Sequence, residues 1–409
     1  MTGLGARKLS VILAVASCIS ASAQIDPYKR ELIQFGYNLP TQGRAPLSAY
    51  AFYYINIPEF LHTNVTLRVA VAPVYMDSEV GISRAFGRYT DLGIGIEGGG
   101  FADSYAEIRQ GKYLRRESFT GHGGGTSMSV YHRFNPEQRI PLNGVLRTEM
   151  HYSVYERDDD TDDNFVLPPD RGNFNLRAGL RWGGREPLII PRFGLELSGW
   201  YESQIRTDAE HYGFDDDRDV SAVSHLFWIR TLLAYTMPKL EHTFNVSLTF
   251  GGTANADRFS SFRLGGLLPL AEEFPLSLPG YYFQEISARR YVLFGGLYTV
   301  PLDADKRWSI AATAATAGVD YLPGLEQSGR WHSGAGGGIS FRSKSDAWHI
   351  VLGYAYGVDA IRENERGAHS IGFLLQLDLD RAKVPMFEPG QQPLRSRGLQ
   401  RLFRNLNVF

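Results

Sequence analysis

Apolar and polar residues alternate along most of this chain. Phe244, Val246, Leu248 and Phe250 are interleaved with Asn245, Ser247 and Thr249. Phe174, Leu176, Ala178, Leu180 and Trp182 alternate with Asn175, Arg177, Gly179 and Arg181. Phe193, Leu195 and Leu197 flank Gly194, Glu196 and Ser198, and Ile371, Phe373, Leu375, Leu377 and Leu379 recur near the end. A period of two gives a strand one apolar and one polar face. The pattern predicts strands at about 47–57, 65–75, 78–88, 91–98, 103–112, 125–135, 144–157, 173–184, 191–206, 223–237, 242–255, 285–301, 307–320, 332–343, 346–358 and 368–380.

A large secreted sandwich or β-solenoid would share this period, so the polar face decides. It carries Arg147, Glu149, Arg177, Arg181, Glu196 and Glu202 in mid-strand, on three successive strands. The opposite face carries large aliphatics, with aromatics near strand ends. That is the dyad of a transmembrane antiparallel β-barrel of the outer-membrane type, lipid outside and polar lumen inside. In lipid every backbone N–H and C=O needs a partner, so the sheet must close. About sixteen strands, an even number, suits this fold class. With the N-terminus in the periplasm, the long connections 158–172, 207–222 and 256–284 all lie outside. The tight ones, Lys239–Glu241, Asp303–Lys306 and Lys344–Ser345, all lie inside. The six charged residues are expected to form a lumen-wall network.

Composition supports a single barrel rather than the two or three soluble domains that 409 residues would suggest. The 44 glycines follow no collagen period, and one cysteine excludes a disulfide scaffold. Mean hydropathy is −0.22, because half of each strand is polar. No apolar run is long enough for a transmembrane helix. A formal net charge of −2 argues against nucleic acid as a partner. Arg7 and Lys8, the apolar stretch Leu9–Ile19 and Ala21-Ser22-Ala23 read as a signal peptide over 1–23. Its rival is lipidation at Cys18, since Val15-Ala16-Ser17-Cys18 resembles a lipobox. Residues 24–46 read as a periplasmic lead-in or a first strand, and 47–380 as the barrel. The tail 381–409 is basic, and Leu399, Leu402, Phe403 and Leu406 recur at helical spacing. It reads as an amphipathic helix or a disordered tail.

The longest connection contains Phe262-Arg263-Leu264-Gly265-Gly266 and Leu278-Pro279-Gly280-Tyr281. The next strand ends Gly296-Leu297-Tyr298-Thr299-Val300-Pro301, the one after ends Thr316-Ala317-Gly318-Val319, and four strands follow the twelfth. This resembles the barrel of the bacterial surface antigen family, best over 256–380. The resemblance implies a sixteen-strand barrel whose sixth outer loop folds back into the lumen. It also implies a role in outer-membrane protein assembly or polypeptide translocation. Arg263, Gly265, Gly266, Pro279, Gly280 and Tyr281 would carry the in-folding loop. The family's charged lock is missing here: Pro279, Leu297 and Thr316 stand where charges are expected. Losing all partners together avoids burying one unpaired charge. The periplasmic repeats that capture clients are also missing from this sequence, so translocation would need a separate periplasmic partner. Ser370, Gly372, Leu375 and Leu377 fit a signal for barrel-insertion machinery, and lipid and lipopolysaccharide are the expected surroundings.

Other motifs carry less. Gly93, Gly95 and Gly98 match G-x-G-x-x-G, but no helix pattern follows. His122-Gly123-Gly124-Gly125 resembles a lipase oxyanion loop without any G-x-S-x-G elbow, and reads as a flexible outer loop. Ser333 beside His332, or His349, could serve a barrel-borne hydrolase, yet spacing selects none of them. Asp158, Asp160 and Asp162 have calcium-loop spacing without the glycine or final glutamate. They read as a solvated loop or a weak Ca²⁺ or Mg²⁺ bridge to lipopolysaccharide. No enzyme activity, cofactor or built metal site is expected. The alternative to translocation is a passive or plugged pore, or a structural barrel.

Overall fold

The computed structural model describes residues 25–382, apart from 27, 73–74, 139, 186–193, 238 and 269–273. Residues 1–23, read as a signal peptide, and 383–409 of the basic tail lie outside the described residues. Sixteen strands form the wall: β1 (Arg30–Pro40), β2 (Ala49–Ile57), β3 (Val65–Val71), β4 (Met76–Ile82), β5 (Thr90–Gly99), β6 (Thr120–Arg133), β7 (Leu142–Glu156) and β8 (Arg171–Arg185), then β9 (Gly194–Arg206), β10 (Val223–Thr236), β11 (Thr243–Ala254), β12 (Ile286–Pro301), β13 (Trp308–Tyr321), β14 (Trp331–Arg342), β15 (Trp348–Arg362) and β16 (Glu365–Asp378). Each pairs antiparallel with its neighbour. The ring closes where β1 meets β16, from Leu32 opposite Asp378 to Pro40 opposite Ser370. Closure leaves no sheet edge for lipid to meet.

Alternation sets the two faces. Leu180, Leu197, Phe227, Phe250, Phe294 and Ile371 are exposed on the outside. Between them, Glu196, Ser198, Glu202 and Arg230 are buried on the inside. Exposed Trp182, Tyr235, Phe244 and Trp308 sit at one end of their strands, and exposed Tyr152 and Trp331 toward the other. Such aromatic girdles mark the two membrane interfaces.

The connections sort by end. On one side run 58–64, 83–89, 134–141, 237–242, 302–307 and 343–347, all short. Left-handed backbone at Glu241, Lys306 and Asp346 makes three of these turns tight. On the other side run the four long loops 100–119, 157–170, 207–222 and 255–285, together with the shorter 41–48, 72–75, 322–330 and 363–364. Short turns inside and long loops outside are the expected asymmetry.

The sixteen strands are not quite those the alternation predicts. Arg30–Pro40 is the first strand, with Phe35, Tyr37 and Leu39 outward and Gln34 and Asn38 buried. Inward-facing Leu32 and the charged run Lys29-Arg30-Glu31 blur its period. The segment 103–112 is no wall strand. It belongs to an outer loop, in which Ile108–Arg109 pairs with Lys112–Tyr113. Tyr105, Glu107 and Ile108 are buried there beneath other loops, not in lipid. One strand missed and one added leave the total unchanged, and the parity correct from β6 onward.

Candidate functional site: the occupied lumen and its cap

The wall network joins neighbouring strands. Arg177 Nε donates to Glu202 Oε2 at 2.7 Å across β8 and β9. Arg230 Nη2 donates to Glu196 Oε2 at 2.7 Å from β10, and Arg181 lies 3.7 Å from the same carboxylate. Arg147 lies 3.6 Å from Glu149 and from Glu97, a residue the sequence reading did not single out. The six charged positions therefore fall in two clusters, one on β8–β10 and one on β5–β7.

The connection 255–285 folds inward against this wall. Phe262–Leu264 adds to the top of β12. Arg263 donates to the Ala106 carbonyl at 2.8 Å. Gly265 and Gly266 turn the chain, and Gly266 bridges to Leu278. From there the described residues touch opposite sides of the ring. Leu268 exchanges hydrogen bonds with the Asn38 side chain on β1, and Leu267 sits over Gly353 of β15 and Gly372 of β16. Phe274 reaches β9 and β10, where Trp200 and Trp228 hold it at ring separations of 5.1 and 5.4 Å. The Arg230 guanidinium lies 5.1 Å from its centroid. Aromatic and cation–π contacts of this kind contribute roughly 0.5–2 kcal/mol each.

The return limb docks on β14 and β15. At Gly280, with φ of +86°, a Cβ would lie 1.9 Å from the Gly357 nitrogen, so glycine alone fits. The Tyr281 hydroxyl lies 3.2 Å from His332 Nδ1, and the Tyr321 hydroxyl meets the other ring nitrogen. His332 is fully buried. These groups stand beside a separate ion pair. Arg362, at the tip of β15, makes a bidentate bond to Glu285 at 2.9 and 2.7 Å and stacks 3.5 Å over the Tyr282 ring. Of the positions where the family places charges, Pro279 abuts Gly334 and Thr316 bonds Ser333. Leu297 stays in the wall on β12.

Above the lumen, four outer loops form a cap. Tyr105 and Phe119 from 100–119, Phe165 from 157–170, Tyr212 and Val220 from 207–222, and Phe259 from 255–285 pack together with Tyr155. Phe119 is the hub, its ring within 6.4 Å of Tyr105, Tyr155, Phe165, Tyr212 and Phe259. Buried ions cross-link the same loops. Glu107 is fully buried, 3.1 Å from Arg258 and 3.8 Å from the buried Arg218. Burial pushes the Glu107 carboxyl up, but Arg258 and Arg218 outweigh it and hold it below the usual carboxylate range. Arg206 binds Asp257 at 2.5 Å.

The remaining motifs resolve differently from their sequence readings. His122-Gly123-Gly124-Gly125 is not a loop but the start of β6. A Cβ on Gly123 would lie 2.0 Å from Asp103 Oδ2 and 2.2 Å from His151 Nε2, so the glycine admits a packed side-chain pair. Asp160 and Asp162 are not a free acidic loop: they pair with Arg115 and Arg116. Asp158 accepts from Thr120. The three carboxylates thus point to separate partners rather than to one ion. Ser333 and His332 are adjacent on one strand, so they face opposite sides and cannot act on one substrate atom. Gly93, Gly95 and Gly98 lie within β5. Ser370, Gly372, Leu375 and Leu377 lie on β16, paired with β1 and β15.

A closed sixteen-strand antiparallel wall with an outward apolar band defines an outer-membrane β-barrel. Two solved structures share the fold. CdiB from Acinetobacter baumannii matches with a TM-score of 0.54 and 12% identity, covering 86% of this chain and 60% of that one. BamA from Haemophilus ducreyi, lacking POTRA domains 1–3, matches with a TM-score of 0.53 and 11% identity, covering 85% of this chain and 70% of that one. This chain thus spans 60% of the CdiB structure's length. Both are surface antigen barrels, so the resemblance read from the sequence holds at the level of fold. No protein-family model and no curated protein sequence matches the chain.

Proposed function

We propose that this outer-membrane barrel is a gated conduit for polypeptide, serving outer-membrane protein assembly or translocation with a separate periplasmic partner. The observation that carries this reading is the 255–285 connection, seated inside the barrel and touching β1 and β9, which stand on opposite sides of the ring. The tip of this segment, held by the Asn38 hydrogen bonds and the Trp200–Trp228 cage, can be released without unfolding the wall. The fold shared with CdiB and BamA supports the same reading. The lumen wall supplies alternating Arg and Glu, which suits transient contact with an extended polar chain and no chemical step. Delivery to the membrane by a cleaved signal peptide is part of this proposal.

The alternative is a plugged pore for small solutes, favoured by the mixed-charge wall. A photo-crosslinking residue at Ser198, facing inward, separates the two in cells. Translocation predicts adducts with polypeptides other than this chain, absent when the probe stands at lipid-facing Leu180. Adducts at Ser198 with the chain's own inner segment alone would overturn translocation and leave the plugged pore.

A further inference from the structure

Beneath the cap lies a cavity of about 340 Å³, lined on one side by Glu97, Glu149, His151 and Asp103. One ligand atom from each of Glu97, Glu149 and His151 lies within 4.8 Å of the other two. Each of the three is oriented by a different residue outside the group. Asp103 Oδ2 accepts from His151 Nε2 at 2.8 Å. Tyr75 donates to Glu97 Oε2 at 3.0 Å, and Asn175 Nδ2 donates to Glu149 Oε1 at 3.1 Å. Support of every ligand from behind is the mark of a metal centre's outer shell.

The inner atoms then face one another. His151 Nδ1 lies 3.1 Å from Glu97 Oε1, and the Arg147 guanidinium lies 3.6 Å from both glutamates. The Glu97 and Glu149 carboxyls are also in contact. A divalent cation would take the place of the protons these groups share. Across the same cavity Arg171 is 1% exposed, and its Nε and Nη1 have no hydrogen-bond partner in the protein. The space therefore expects polar contents, such as water or an anion completing an ion's coordination.

We propose that Glu97, Glu149 and His151 form a divalent transition-metal site, with Asp103 holding the histidine. One imidazole nitrogen and two carboxylates suit Zn²⁺, Co²⁺ or Mn²⁺ better than Ca²⁺, which takes an all-oxygen shell. The ligands come from β5 and β7, and Asp103 from the 100–119 loop. A bound ion would pin the cap to the wall. This inference does not depend on what the barrel conducts.

The test uses the full chain folded in detergent and stripped with chelator, its folding checked by heat-dependent gel mobility. Calorimetric titration with Zn²⁺ is expected to show one saturable ion per chain. Glu149→Gln and His151→Asn should each weaken binding at least about tenfold, and Asp103→Asn by about tenfold. His211→Ala, at an exposed loop histidine, should leave it unchanged. Co²⁺ absorption by the intact chain, abolished by Zn²⁺, reads the same site if a variant fails to fold. No saturable Zn²⁺ and no Co²⁺ band in the folded chain would overturn the site. Binding unaltered by E149Q and H151N, or lost with H211A alone, would overturn it equally.

Discussion

The cap and the inner segment both fill the barrel, yet they are held in different ways. Four loops build the cap, and each touches the others through Phe119, Glu107 and Arg218. Removing any one loop would strip the rest of aromatic area and leave buried charges unpaired. The described residues of 267–282 belong to one connection: Leu267, Leu268 and Phe274 lean on the wall at separate points, while Leu276, Leu278 and Tyr281 join one buried cluster with β12, β13, β15 and β16. Asn38 and the Trp200–Trp228 cage share no partners with one another. Contacts that share no partners fail independently, whereas a network fails together. The difference teaches that the cap is a lid bound as a unit, and the inner segment a plug whose tip can be released before its base.

Perturbations at the plug test this ranking, from the largest effect downward. Arg362→Ala leaves Glu285 buried without its guanidinium, at a cost of about 3–5 kcal/mol. The midpoint of the heat-dependent gel shift should fall accordingly; an unchanged midpoint would show that the ion pair does not hold the return limb. Gly280→Val forces a side chain into the Gly357 backbone, at a cost of roughly 1–3 kcal/mol, and should free the return limb for proteolysis. Phe274→Ala empties the aromatic cage, removing about 1–2 kcal/mol, and should raise spontaneous current openings without moving the cap.

The cap should answer to pH. Glu107 has a depressed carboxyl, so its contribution is complete above the ordinary value of 4.5 and is lost as pH falls below it. Pepsin cleavage in 100–119 should therefore rise below that value, with the wall intact. Glu107→Gln should flatten the dependence; a dependence unaltered by the substitution would assign it to other groups. The smallest effect belongs to Asp160→Asn. Its pair with Arg115 is exposed on both sides, and thermal stability should change by no more than about 0.5 kcal/mol.

The wall was legible because lipid imposes it. From β7 to β12 most outward positions are apolar, so alternation survives in residues such as Leu180, Leu197 and Phe250. It failed where burial had another cause. Tyr105 and Ile108 are apolar because they sit beneath neighbouring loops, and Leu32 turns inward at the β1–β16 seam. The charged wall positions could be read from their place in mid-strand. Their pairing could not, because register decides that Arg177 meets Glu202 while Arg230 meets Glu196. Glu97 and His151 escaped notice for a related reason. They lie on strands separated in sequence, and only β6 and its glycine run bring them together. The inward course of 255–285 came from resemblance, since nothing in the spacing of Leu268 or Phe274 shows that they meet Asn38 or Trp200.

Whether the inner segment is a plug can be read from current. The intact chain and a variant lacking 267–275, which keeps Leu264, Leu276 and Leu278 at the base, would be compared in planar bilayers. The account predicts small or rare conductance for the intact chain and a large, steady increase for the deletion. Equal conductance in the two proteins, with both barrels folded, would contradict it.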